Sequence, residues 1–161
     1  MADLTAWMNQ IRATLNPANR IRLDAAKEAY QAGVSGENAD YGSALAQARR
    51  ELSQIPGEYD ARRADAAGAA GQELSSLPRE LADSGAAPGS GAALGAAAGI
   101  RSAWRGAMEN IGQAQGKAVR REQDDIAALN GQHRAKLESL AQSARAKTAQ
   151  LAAEQAAKKG K

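Results

Sequence analysis

The chain has no cysteine, no phenylalanine, a single histidine and only four prolines among 161 residues. Each shortage excludes something. Without cysteine there is no disulfide, no thiolate metal site and no cysteine nucleophile, and nothing marks the redox compartment. With one histidine and no strand signal, a Ser-His-Asp arrangement would have to recruit His133 from the middle of a helical pattern. Bulky aliphatic side chains are scarce as well: 13 Leu, 6 Ile and 2 Val are too few for a thick core. That scarcity usually accompanies disorder, but disorder also brings high net charge, and here 21 basic residues face 18 acidic ones for a balance of +3.

What fills the apolar share is alanine, roughly 40 residues of it, the residue with the best helix propensity and little burial energy. Helices are therefore expected, and a thick monomeric core is not. The 16 glycines cut against isolated helices, since each in a helix interior costs about 1 kcal/mol relative to alanine. They make sense where small residues let neighbouring helix backbones come close. Met1 to Gln10 carries Asp3 and lacks a basic segment followed by an apolar run, so a secretory signal is not expected. The longest uncharged stretch, residues 84–100, contains Pro88 and five glycines and is too broken to span a membrane.

Along the chain, Leu4, Trp7, Met8, Ile11 and Leu15 recur at steps of three and four, predicting a short amphipathic helix that Asn16-Pro17 ends. A second helix is expected over residues 18–32, with Ile21, Ala25, Ala29 and Ala32 as its apolar face and Gly33 as a stop. Residues 33–42 read as a polar loop. A third helix over 43–54 uses Leu45, Ala48 and Leu52, and Ile55-Pro56-Gly57 breaks it. Residues 58–83 are helical again, with a kink or restart at Ser76-Leu77-Pro78. No regular helix should cross residues 83–91, which close on a plausible N-cap at Ser90. Beyond it no proline occurs, permitting one helix of about 65 residues, on the order of 100 Å long.

That last segment carries a stripe at Trp104, Met108, Ile111, Gln115, Val119, Glu122, Ile126, Leu129, His133, Leu137, Leu140, Ala144, Thr148 and Leu151. Its 13 steps over 47 residues give about 3.6 per step, an unstrained α-helix rather than a strict heptad. The segment over 58–83 is too short to cover it, so the part from His133 onward is expected to face partner chains. The fold class expected is all-α: an extended helical hairpin with a long C-terminal helix and short N-terminal helices, assembling into a symmetric oligomer. Its divisions are 1–56 as a docking segment, 57–157 as the hairpin with its turn at 83–91, and 158–161 as a basic tail. Gly85, Pro88, Gly89, Ser90 and Gly91 make the turn. Trp104, Met108, Ile111, Val119, Ile126, Leu129, Leu137 and Leu140 are the packing and oligomer stripe.

Charge is uneven: residues 1–100 hold 9 basic and 12 acidic groups, residues 101–161 hold 12 and 6. Arg134, Lys136, Arg145, Lys147, Lys158, Lys159 and Lys161 could touch DNA non-specifically, but they are dispersed and no aromatic residues interleave for stacking. A solvated face whose cations suit the helix C-terminus is the simpler reading. His133 reads as a stripe residue in a subunit contact. Gly89-Ser90-Gly91 lacks the lysine and strand of a phosphate loop. Asp124-Asp125 lacks the partners of a metal site. No catalytic, metal or cofactor site and no small-molecule substrate is expected, so the chain reads as a non-enzyme.

The run Leu77-Pro78-Arg79-Glu80-Leu81-Ala82-Asp83-Ser84-Gly85, then Gly89-Ser90-Gly91-Ala92-Ala93, then the helix through Trp104, Asn110 and Gln113 resembles small helical virion proteins of tailed bacteriophages and prophages. In these a Leu-Pro pair, a Gly/Ser-rich turn and a long polar return helix form a hairpin. More loosely it resembles the Ala- and Gly-rich internal proteins that short-tailed phages eject with their DNA. The resemblance covers about residues 58–130, departs from the pattern at Ala92 and Ala93, and does not reach the N-terminal 50 residues. It implies a non-enzymatic virion component of the tail, neck or internal core, in symmetric copies, with other virion proteins as neighbours. It also implies synthesis in the bacterial cytoplasm. A cellular coiled-coil adaptor, a DNA compactor and a membrane-active ejected channel are the competing classes. The first should keep a heptad, the second needs far more lysine, and the third draws on apolar residues 92–100.

Overall fold

The computed structural model describes residues 4–87 and 89–159, leaving aside the side chain of Lys159. Among the described residues there are three helices and no strand: α1 (Leu4–Thr14), α2 (Pro17–Asp83) and α3 (Gly91–Lys159). The chain divides into two compact units, the first Met1–Gln47 with Ile126–Lys161, the second Ala48–Asp125.

The first unit holds the core. Leu4 and Met8 of α1, Leu15 after it, Leu23 of α2, and Ala141, Ala144 and Leu151 of α3 form one buried cluster, with Trp7, Ile11 and Tyr30 packed against it. Fully burying each large side chain contributes on the order of 1.5–3 kcal/mol. The α1 stripe is therefore the predicted one, and the chain turns where predicted. Asn16 Oδ1 accepts a hydrogen bond from the Asn19 N–H (2.9 Å) and Pro17 takes the first helical position, where its missing N–H is harmless. Arg20 closes the other side of the corner by donating to the Leu15 carbonyl, 2.9 Å. Arg12 grips Asp24 through both carboxylate oxygens at 2.8 and 2.9 Å; this hydrogen bond holds the Asp24 carboxyl below its usual range. Thr148 is fully buried and returns its hydroxyl proton to the Ala144 carbonyl, 2.8 Å.

Several expectations need correction. Residues 33–42 are helix, not loop, and Pro56-Gly57 does not end a helix: α2 runs unbroken from Pro17 to Asp83. The N-terminal segment is thus one short helix and the first half of a long one. The polar run is helical because Glu37 and Tyr41 meet partners on α3 and because Gly33 lets Leu140 approach the α2 backbone. A Cβ on Gly33 would stand 3.0 Å from Leu140 Cδ2. Pro56 and Pro78 both lie on the exposed side of α2. There the carbonyl four residues earlier, deprived of its N–H partner, can bond to water. The face expected over 18–32 is also wrong. Ile21 is 71% exposed, and Ala25, Ala29 and Ala32 are exposed too, whereas Asn19 and Leu23 are buried. Finally, the α3 stripe from His133 onward packs within the chain, where Ala141, Ala144 and Leu151 join the buried cluster with α1 and the start of α2.

The second unit is thin. Only Ala48, Ile55 and Tyr59 are buried there, and no described residue from 60 to 125 is. In its α2 a stripe of less exposed positions runs through Ala48, Leu52, Ile55, Tyr59, Arg63, Ala66, Ala70, Leu74, Leu77 and Leu81, with half-buried Ser76 beside it. Nine steps over 33 residues give about 3.67 per step, the value of an eleven-residue repeat. Alanine at 66 and 70 explains why the stripe buries so little. Arg63 donates to Gln115 across the two helices, and the Arg62 guanidinium lies 4.7 Å from the centre of the Tyr59 ring.

α2 ends in a left-handed cap. Gly85 has φ +76°, its N–H bonds to the Ala82 carbonyl (3.1 Å), and the Ala86 N–H reaches the Leu81 carbonyl (2.8 Å). Gly89 is the second positive-φ residue, at +82°, and Ser90 caps α3 by accepting from the Ala93 N–H, 3.3 Å. Pro88 lies outside the described residues.

Candidate functional site

The strongest concentration of polar chemistry lies in the first unit, where α2 meets α3. The step from Glu37 to Tyr41 is one helical turn, so both face α3. Asn130, His133 and Lys136 follow one another at steps of three and face α2. Glu37 Oε1 is 3.3 Å from His133 Nδ1 and Glu37 Oε2 is 3.2 Å from Lys136 Nζ. The Tyr41 ring stacks on the His133 ring, centroids 4.1 Å apart and 11° from parallel, and the Tyr41 hydroxyl donates to Asn130 Oδ1. The side chains of Glu37 and His133 are only 13% and 15% exposed.

Burial is the largest influence on the Glu37 carboxyl and acts to raise it. Hydrogen bonds from Lys136 and His133, with their charges, outweigh burial and leave it below the ordinary carboxylate value. Glu37 is therefore held as an anion. An imidazole carrying its proton on Nδ1 donates to that anion.

A shallow cavity of about 140 Å³ opens beside the cluster, lined by Glu37, Asp40, Tyr41, Ala44, Leu129, Gln132, His133 and Lys136. The described lining contains no serine, threonine or cysteine. Among the described residues no group of three His, Cys, Asp or Glu is placed to hold a metal ion. What the arrangement does physically is fix register. Small-residue stripes can slide past one another at little cost, whereas moving α3 by a turn would strand the Glu37 carboxylate without its hydrogen-bond partners on α3.

No protein-family model, no curated protein and no solved structure matches this chain. Among the described residues, no helix is long and apolar enough to cross a membrane.

The sequence-derived site residues divide between the units. Gly85, Gly89, Ser90 and Gly91 sit at the α2–α3 connection. Trp104, 39% exposed, and half-buried Met108, Ile111 and Val119 belong to the second unit. Ile126, Leu129, Leu137 and Leu140 are half-buried in the first. His133, expected in a subunit contact, instead pairs with Glu37 of its own chain. Glu37, Tyr41 and Asn130 were missed. The signal that could have found them was the pairing of a Glu-x-x-x-Tyr turn with an Asn-x-x-His-x-x-Lys face, hidden because residues 33–42 read as loop.

Proposed function

We propose that this protein is a non-enzymatic helical subunit of a larger symmetric assembly, a virion structural protein of the tail, neck or internal genome-delivery apparatus of a tailed bacteriophage. One observation carries the assembly reading: the second unit exposes small-residue faces that no described residue of the chain packs against. On α2, Gly57, Ala61, Ala64 and Gly68 lie about 200° around the helix from stripe positions such as Tyr59 and Ala66, and all are exposed. On α3, Gly95, Ala98, Ser102 and Gly106 stand likewise away from its stripe. Nothing lies within 4 Å of where a Cβ would be at Gly57, Gly68, Gly95 or Gly106. Helix-interior glycines that cost about 1 kcal/mol each gain a purpose if a second copy packs there. Leu94, 66% exposed, and Trp104 add apolar area on the same unit.

On this reading α2 and α3 form a hairpin over residues 57–157, reversed at 83–91, and copies pack side by side. The virion setting rests on the resemblance of residues 58–130. Arg134 and Arg145 then give a basic flank for non-specific contact with packaged DNA.

The test is mass by light scattering on the wild type and on Gly68→Leu and Gly106→Leu. Bulky side chains at these open positions leave intrachain contacts alone. A defined wild-type oligomer that both variants weaken supports the reading; a wild-type monomer at every concentration refutes it. Immunogold labelling of particles released from producing cells tests the virion setting separately, and particles without label would remove it.

A further inference from the structure

The first unit has α1 on one side of the α2–α3 pair and an open trough on the other. Arg12 and Asn9 of α1 bind Asp24 and Lys27 of α2. Ala25 and Ala29 point the opposite way, and their side of the helix is bare. The trough has a volume of about 470 Å³, within the range of about 300–1,000 Å³ usual for small-molecule sites. Its floor is Ala25, Ala26, Ala29, Leu140 and Ala144, with Tyr30 at one end and Ser143 on the rim. From residue 22 to residue 30 the α2 axis rises about 12 Å.

Charge is distributed unevenly along that length. The only charged residues lining the trough are Arg22 and Lys147, both cationic, and both nearer the chain termini than the Tyr30–Leu140 end. Arg22 gives one N–H to Glu154 at 2.8 Å and keeps the rest of its fork. The alanine face over 18–32 is also the apolar face that the sequence singles out, and Ala25, Ala29 and Ala32 are exposed among the described residues. A trough apolar at one end and cationic at the other is complementary to a small amphiphile with an anionic head.

We propose that this trough binds a medium-chain carboxylate, its head group between Arg22 and Lys147 and its alkyl chain along Ala25, Ala29 and Leu140 toward Tyr30. The inference is independent of the assembly reading, since it concerns the other unit.

Calorimetric titration of the full-length protein with decanoate tests it, with mass by light scattering recorded alongside. Saturable one-to-one binding is expected. It should weaken about tenfold in Lys147→Gln, the loss of one charge-assisted contact, disappear in Ala29→Leu, which fills the floor, and persist in Lys117→Gln, which removes a cation from the other unit. Decyltrimethylammonium should bind at least tenfold more weakly. Ala29 is exposed and leucine is a good helix former, so unchanged helicity by circular dichroism verifies that variant's fold. Absence of saturable binding, equal binding of the cationic amphiphile, or indifference to both trough variants would overturn the proposal. So would a dimer that Ala29→Leu dissociates with no decanoate uptake, since the trough would then seat a second copy.

Discussion

Gly33 and Gly131 both lie within helices of the first unit, yet their surroundings differ. Leu140 presses on Gly33, while nothing stands near Gly131. Gly131→Ala should therefore stabilise the protein by about 0.5–1 kcal/mol in denaturant titrations, the difference in helix propensity. Gly33→Ala should gain less or lose, because Leu140 has to move. Glu37 titrates with a definite sign. Its carboxyl is lowered in the fold, so its contribution is fully present above the ordinary value of 4.5 and is lost as pH falls through the folded value. Stability measured from pH 6 downward to about pH 3 should fall less steeply in Glu37→Gln than in the wild type. An unchanged slope would mean that Lys136 and His133 do not hold the anion. At this scale the sequence was a partial guide. It marked His133 as a stripe residue but could not name Glu37, since pairing across 96 positions leaves no local trace.

Among the elements, the two helix starts are set by side chains that local rules identify. Removing either cap, Asn16→Ala or Ser90→Ala, should cost about 1 kcal/mol. The prolines behave differently. Pro56 and Pro78 interrupt the bonding of α2 without ending it, and replacing either with alanine should restore a hydrogen bond and raise stability by up to about 3 kcal/mol. Thermal unfolding followed by circular dichroism measures both sets. Leu23 and Leu151, each 1% exposed, should cost about 2–5 kcal/mol as alanine. Helix periodicity was legible in α1, in the α3 stripe and at the connection through Gly85 and Ser90. It was legible over 43–54 through Leu45, Ala48 and Leu52, and illegible over 33–42 and at Pro56-Gly57, where glycine and proline argue locally for breaks. Contacts such as Leu140 on Gly33 override them from a distant part of the chain.

For the whole molecule, the sequence correctly implied a core too small for its length but placed the deficit at the wrong end. Residues from His133 onward were expected to be bare. Instead Ala141, Ala144 and Leu151 are buried in one cluster with Leu4, Met8, Leu15 and Leu23, because α2 continues back past Gly42 and Gly33 to reach them. The deficit belongs instead to residues 60–125, where alanine, glycine and charged residues leave no described side chain buried. On the proposed assembly reading a unit this thin would gain stability from neighbouring copies, so helicity there should depend on assembly while the other unit stands on its own core.

Hydrogen exchange at a series of protein concentrations, with mass measured by light scattering on the same samples, tests this most directly. The account predicts that amides of residues 4–47 and 126–159 are protected at every concentration. Protection over 60–125 should rise together with a defined oligomeric mass. Equal and concentration-independent protection of both regions in a verified monomer would contradict it.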